Sequence, residues 1–201
     1  MKNLFVALAL LPLYAAAQTP GGSGVAPRFW IKANASVYQN NGTTLVNASG
    51  QSVQQWNDGS SNSLHLRQTA NASKPTYLNG STNAFNYNPV ISFGNSHMAT
   101  INTSGLFPTG TTYSNVNIYL VYQDLDANDF DWLFYQGTSG LNRISYSSNY
   151  AGSTAVDLDV TTSNRLSVST ATDLPVNTVN IGVSIPAVPH PMDRTPTCVR
   201  L

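Results

Sequence analysis

The chain has 201 residues, nine basic and nine acidic, so its formal net charge is zero and only 9% of its side chains are charged. An average soluble domain carries about 25% charge. All nine acids are aspartate and there is no glutamate. A nucleic-acid binder needs a clustered basic surface, and long exposed helices need Glu/Lys pairs and strong helix formers; both readings are excluded. Chemistry that depends on a glutamate is excluded as well.

The N-terminus is a short basic start, an apolar stretch over residues 4–13 and the small-residue run Ala15-Ala16-Ala17 before Gln18. This is the anatomy of a secretory signal peptide. The apolar stretch is shorter than the ~20 residues that span a bilayer. Residues 1–17 are expected to be removed after Ala17, leaving eight basic against nine acidic side chains. No other segment is apolar and long enough to anchor in a membrane. The expected location is secreted or on the outer cell surface. The lone Cys198 excludes an intramolecular disulfide.

Residues 18–28 read as an entry linker rich in small and turn-forming residues. Phe29-Trp30-Ile31-Lys32-Ala33 is expected to form a strand. Residues 39–50 are turn-rich, with Asn41-Gly42 as a tight-turn signal. Ser52-Val53-Gln54-Gln55-Trp56 alternates and stops at Asn57-Asp58-Gly59. Lys74-Pro75-Thr76-Tyr77-Leu78 and Pro89-Val90-Ile91-Ser92-Phe93 are short extended runs. Val116 to Tyr122 is the clearest strand, being β-branched and aromatic without a breaker. Trp132 to Tyr135 and Arg143 to Tyr146 follow as a hairpin across Gly137 and Gly140. Ala155 to Val160 and Arg165 to Val168 come next. Short strands between turn signals predict an all-β, antiparallel sandwich or barrel. Five of the eleven prolines fall at or beyond Pro175. Residues 186–201 read as an irregular Pro-rich tail, a linker or a truncated end.

A series of landmarks carries a resemblance. Phe29-Trp30-Ile31-Lys32-Ala33-Asn34 is similar to an opening "LWLKAD/N" strand. Val53-Gln54-Gln55-Trp56-Asn57-Asp58 with Gly59-Ser60-Ser61-Asn62-Ser63 is similar to "V..W.D.SGNG". Lys74-Pro75-Thr76-Tyr77 resembles "RPTY", and Asn88-Pro89-Val90-Ile91-Ser92-Phe93 resembles "NPVVRF". Together they resemble laminin G-like jelly-roll domains of the concanavalin A-like lectin/glucanase superfamily, of the kind found in large exported Bacteroidota-type surface proteins. The likeness covers about residues 21–168. It implies a jelly roll over residues 29–185 that lacks its last strands, and a larger surface protein of which the remainder is missing. The aspartate of the family's "FDG" landmark is absent, since Gly94 follows Phe93.

Glucanases of this superfamily use paired carboxylates, typically glutamates, which this chain lacks. The pairs Asp124/Asp126, Asp129/Asp131 and Asp157/Asp159 are each spaced to share one side of an extended strand, but an acidic turn is the plainer reading of residues 124–131. The oxygen-rich stretch holding Asp124, Asp126, Asp129 and Asp131 is a candidate calcium site, since calcium takes six to eight oxygen ligands. It lacks EF-hand spacing, and calcium is the one cofactor expected. The spacing of His65, His97 and His190 argues against zinc. Trp30 and Trp56 are read as core. Trp132, Tyr135 and Tyr146 are the candidates for a sugar-stacking face, with ordinary cross-strand packing as the plainer reading. The function implied is a non-catalytic binding or adhesion module recognising a glycan or a cell-surface protein. The alternatives are a carbohydrate-active hydrolase of the same fold and an inactive spacer or gene fragment.

Overall fold

The computed structural model describes residues 24–80, 87–102, 105–107, 113–123, 131–138, 141–148, 155–159, 165–169, 179–188 and 198–199. Every strand pairing among them is antiparallel. The one helical element among the described residues is a 3-10 turn at Asn71–Ser73. The all-β class expected from turn-punctuated apolar runs is what these residues form.

The strands are β1 (Val37–Tyr38), β2 (Gln55–Trp56), β3 (Leu66–Arg67), β4 (Thr76–Leu78), β5 (Val90–Ser92), β6 (Met98–Thr100), β7 (Tyr113–Gln123), β8 (Asp131–Thr138), β9 (Leu141–Ser148), β10 (Ala155–Asp159), β11 (Arg165–Ser169), β12 (Val179–Val188) and β13 (Cys198–Val199). One sheet runs in the order β1-β2-β3-β6-β13-β8-β9-β10-β11, and two pairs stand apart from it, β12 with β7 and β4 with β5. The β8–β9 hairpin predicted across Gly137 and Gly140 forms, with Thr138 opposite Leu141.

One apolar cluster draws on all three sheets. Val37, Trp56, Leu66 and Met98 come from the large sheet and Tyr122 from β7, joined by Val53, Phe93 and Phe107 from connecting segments. Tyr77 of β4 and Ile91 of β5 pack against it. Val53, Leu66 and Met98 are fully buried. Strand period explains the participation of β7. Ile118, Leu120 and Tyr122 lie two residues apart and turn to this core, whereas Tyr119 and Val121 between them are 56% and 63% exposed.

Two stretches differ from expectation. Phe29 to Ala33 forms no ladder. Instead Lys32 bridges to Ala35 across a tight turn, and Trp30 is held by a carboxylate and a glycine amide described below. The chain there is extended and half-buried, but its hydrogen bonds go to a loop and not to a neighbouring strand. Within 186–201, residues 186–188 continue β12, and Cys198–Val199 form β13 between β6 and β8. Pro186 stands opposite Asn115. Its strand has β7 as its only partner among the described residues, and a missing N–H is tolerated on an open edge.

Candidate functional site

The described part of the molecule is richest in polar order around Asp58, which is buried with 6% exposure. One carboxylate oxygen accepts the backbone N–H of Trp30 at 2.8 Å and of Ser60 at 2.9 Å. The other accepts the Ser60 hydroxyl at 2.6 Å and the Leu64 N–H at 2.9 Å. Gly59 N–H donates to the Trp30 carbonyl at 2.7 Å. The Asn62 side-chain amide donates to the Arg28 carbonyl at 2.8 Å, which also lies 2.9 Å from the Ser60 oxygen, whose one proton points to the nearer carboxylate. Residues 58–64 therefore wrap one carboxylate, and the same group fastens the entering chain at Trp30. Four donors satisfy both oxygens of the buried carboxylate, as burial of a charge requires. This is a structural role, and it explains why an aspartate stands at this landmark.

The neighbouring landmarks meet in the same region. The Trp56 indole N–H donates to the Lys32 carbonyl at 3.0 Å, with its ring buried. Trp30 is half-buried, with Gly59 packed close to its ring. Gln55, also buried, accepts two bonds from the Arg67 guanidinium through Oε1 and donates to Asn57 through Nε2. Ser52 bridges to Thr76, which in turn pairs with Ser92. A second side-chain clamp joins β8 to residues 105–107. The buried Gln136 amide accepts the Phe107 N–H at 2.9 Å and donates to the Phe107 carbonyl at 2.6 Å. No sequence motif announces this clamp, because its partners are backbone atoms 29 positions away.

A small open pocket of about 140 Å³ lies beside the turn after Lys32, lined by Asn34, Ser36, Leu45, Val46 and Tyr77 among others. Drug-sized ligand sites run to about 300–1,000 Å³, so this hollow holds at most a small group. Ser36 enters it with φ of 57°, an uncommon conformation for a non-glycine residue.

Of the residues singled out for ligand stacking, Trp132 and Tyr135 lie on β8 and Tyr146 on β9, on paired strands. Trp132 stands opposite Ser147, Tyr135 opposite Ser145 and Tyr146 opposite Phe134. Their side chains lie outside the described residues. For the calcium candidate, Asp131 opens β8 opposite Ser148, and Asp124, Asp126 and Asp129 lie outside the described residues. Asp157 and Asp159 fall on β10, between β9 and β11. Among the described residues no group of three or more His, Cys, Asp or Glu gathers as metal ligands would. None of their helices is long and apolar enough to cross a membrane. The signal-peptide residues 1–17 also lie outside the described part.

The exposed pair Tyr119 and Val121 carries no signal in the sequence. Val116 to Tyr122 is apolar or aromatic at all but one position, so the alternation that divides its two faces is hidden until a core forms on one side. No protein-family model, curated protein or solved structure matches this chain.

Proposed function

We propose that this chain is a non-catalytic binding or adhesion module of an exported surface protein, a laminin G-like jelly roll recognising carbohydrate or a protein partner. The observation that carries the reading is the meeting of the resemblance landmarks in space. Trp30 and the loop after Asp58 are joined by one buried carboxylate. Trp56 is tied to Lys32 of the opening landmark. Thr76 of the third landmark pairs with Ser92 of the fourth. Landmarks that resembled this family only in their order along the chain are thus linked through hydrogen bonds, as parts of one fold would be.

Recognition falls to the strands beyond the landmarks, with Trp132 and Tyr135 as the stacking residues, since the β8–β9 register sets Tyr146 opposite Phe134 on the other face, and with Asp124, Asp126, Asp129 and Asp131 as calcium ligands. A glycan array and a screen against surface proteins, each run with calcium and with chelator, test this. Retained binding by the wild type and loss in Trp132→Ala or Tyr135→Ala support the assignment. Calcium-dependent binding that is lost in Asp126→Asn supports the metal. Hydrolysis of a polysaccharide substrate by the purified chain would overturn the non-catalytic reading.

A further inference from the structure

The chain contains two asparagine–glycine steps, Asn41-Gly42 and Asn79-Gly80. In such a step the glycine backbone nitrogen can reach the side-chain carbonyl carbon of the asparagine, and no Cβ obstructs the approach. Asparagine is thermolabile through this reaction. The two steps also share a backbone type, with φ of 88° at Gly42 and 95° at Gly80. Hydrogen bonding separates them.

At Asn41-Gly42 both reacting groups are engaged. Gly42 N–H donates to the Asn40 carbonyl at 2.8 Å. The Asn41 side-chain oxygen accepts the Gln54 amide at 2.7 Å, and the Gln54 oxygen is fixed in turn by Lys74 Nζ at 2.7 Å. Asn40 holds the rest of the turn by accepting the N–H groups of Thr43 and Thr44. The space over Gly42 is filled, since a Cβ there would lie 2.8 Å from Gln55 Nε2. Attack by the Gly42 nitrogen therefore requires two hydrogen bonds to break and the turn to open. At Asn79-Gly80 the chain leaves β4, whose last residue Leu78 stands opposite Val90. Asn79 N–H donates to the exposed Ser49 hydroxyl at 3.2 Å. Among the described residues, neither the Asn79 side chain nor the Gly80 N–H makes a hydrogen bond. Gly80 is exposed, with nothing within 4 Å of where a Cβ would stand.

We propose that Asn79 is a site of spontaneous deamidation and that the fold shields Asn41 from the same reaction. The Gly80 backbone nitrogen gives up its proton to solvent and attacks Cγ of Asn79. A new C–N bond closes a succinimide ring, the bond from Cγ to the side-chain nitrogen breaks, and that nitrogen takes a proton and leaves as ammonia. Water then opens the ring at either carbonyl, which leaves aspartate or isoaspartate at position 79. Water is the one co-reactant, and nothing is oxidised or reduced. Either product places a new negative charge at the end of β4. Isoaspartate also inserts a methylene into the backbone beside the bond from Asn79 to Ser49.

The test uses the mature chain, incubated at 37 °C and pH 8 both folded and in denaturing urea, with conversion at each position read by peptide mass spectrometry. In urea the two steps should convert at similar rates, because only local sequence acts there. In the folded chain Asn79 should convert about 30-fold faster than Asn41, the factor expected for two hydrogen bonds that only Asn41 must break. Gln54→Ala frees the Asn41 side chain and should speed its conversion about fivefold. Asn79 in the same molecules should keep its wild-type rate, which checks that the variant has not simply unfolded. Equal rates at the two positions in the folded wild type would overturn the proposal. So would an Asn79 that converts only in urea, or a ratio between the two positions that is the same with and without urea. These readouts need only the wild-type chain.

Discussion

Residues 24–102 and the later strands solve the same problem in different ways. In the first region the strands are two or three residues long. Backbone ladders this short leave many N–H and C=O groups without strand partners, and buried ones must be satisfied. Side chains do it. Asp58 serves three backbone amides, Gln51 caps the 47–48 turn, Asn40 caps the 43–44 turn, and the Trp56 indole closes on Lys32. In the second region β7 has eleven residues and β12 ten, and they pair along nearly their whole length with one irregularity between Ile181 and Val183. There the ladder itself satisfies the backbone. The lesson is that the Asn, Gln and Ser content replaces regular secondary structure in the first region, so single polar residues carry stability there that no single residue carries in β7.

The largest effect that would sharpen this contrast is expected at Asp58. Asp58→Ala removes an acceptor from four donors, with Leu64 among the buried ones, and should cost about 3–4 kcal/mol. Urea unfolding would measure it, and a cost below about 1 kcal/mol would break the contrast. Gln136→Ala is the next largest. It removes the side-chain partner of the N–H and the carbonyl of the buried Phe107, and about 2 kcal/mol is expected from the same measurement. Gly105→Ala acts on that same clamp. Gly105 has φ of 62°, and an added Cβ would lie 2.7 Å from the Gln136 amide. A loss of about 1–2 kcal/mol is expected, smaller but not abolished in the Gln136→Ala background, where the contact is gone and the backbone strain at φ of 62° remains. The smallest effect is expected on the outer face of β7. Val121→Thr keeps the β-branch at an exposed ladder position and should change stability by less than about 0.5 kcal/mol. A thermal midpoint displaced by more than about 3 °C would show that this face is covered.

The legibility of the two regions in sequence was unequal for the same reason. Long strands announce themselves. Val116 to Tyr122 was read as a strand and lies inside β7, and the β8–β9 hairpin was read from its glycines. The first region was legible as landmarks and turns but not as strands. Phe29 to Ala33 has strand composition, yet its backbone bonds to a loop carboxylate and a glycine. β6 was missed because Met98-Ala99-Thr100 is three residues of mixed character whose pairing with Leu66–Arg67 is decided over 30 positions of separation. β12 was missed because Gly182 and Pro186 interrupt its apolar run. The first residue lies at the irregularity opposite β7 and the second on an open strand edge.

Composition alone determined that the described residues would be β-strands and turns: few helix formers, no glutamate, and β-branched and aromatic runs cut by Asn, Gly and Pro. What only the tertiary structure decided is which polar residues matter. Nine aspartates look alike in sequence, and Asp58 is set apart by four donors that converge on it from Trp30, Ser60 and Leu64. Hydrogen bonds are directional and short, so the partner of a side chain is settled only when the backbone around it has been placed.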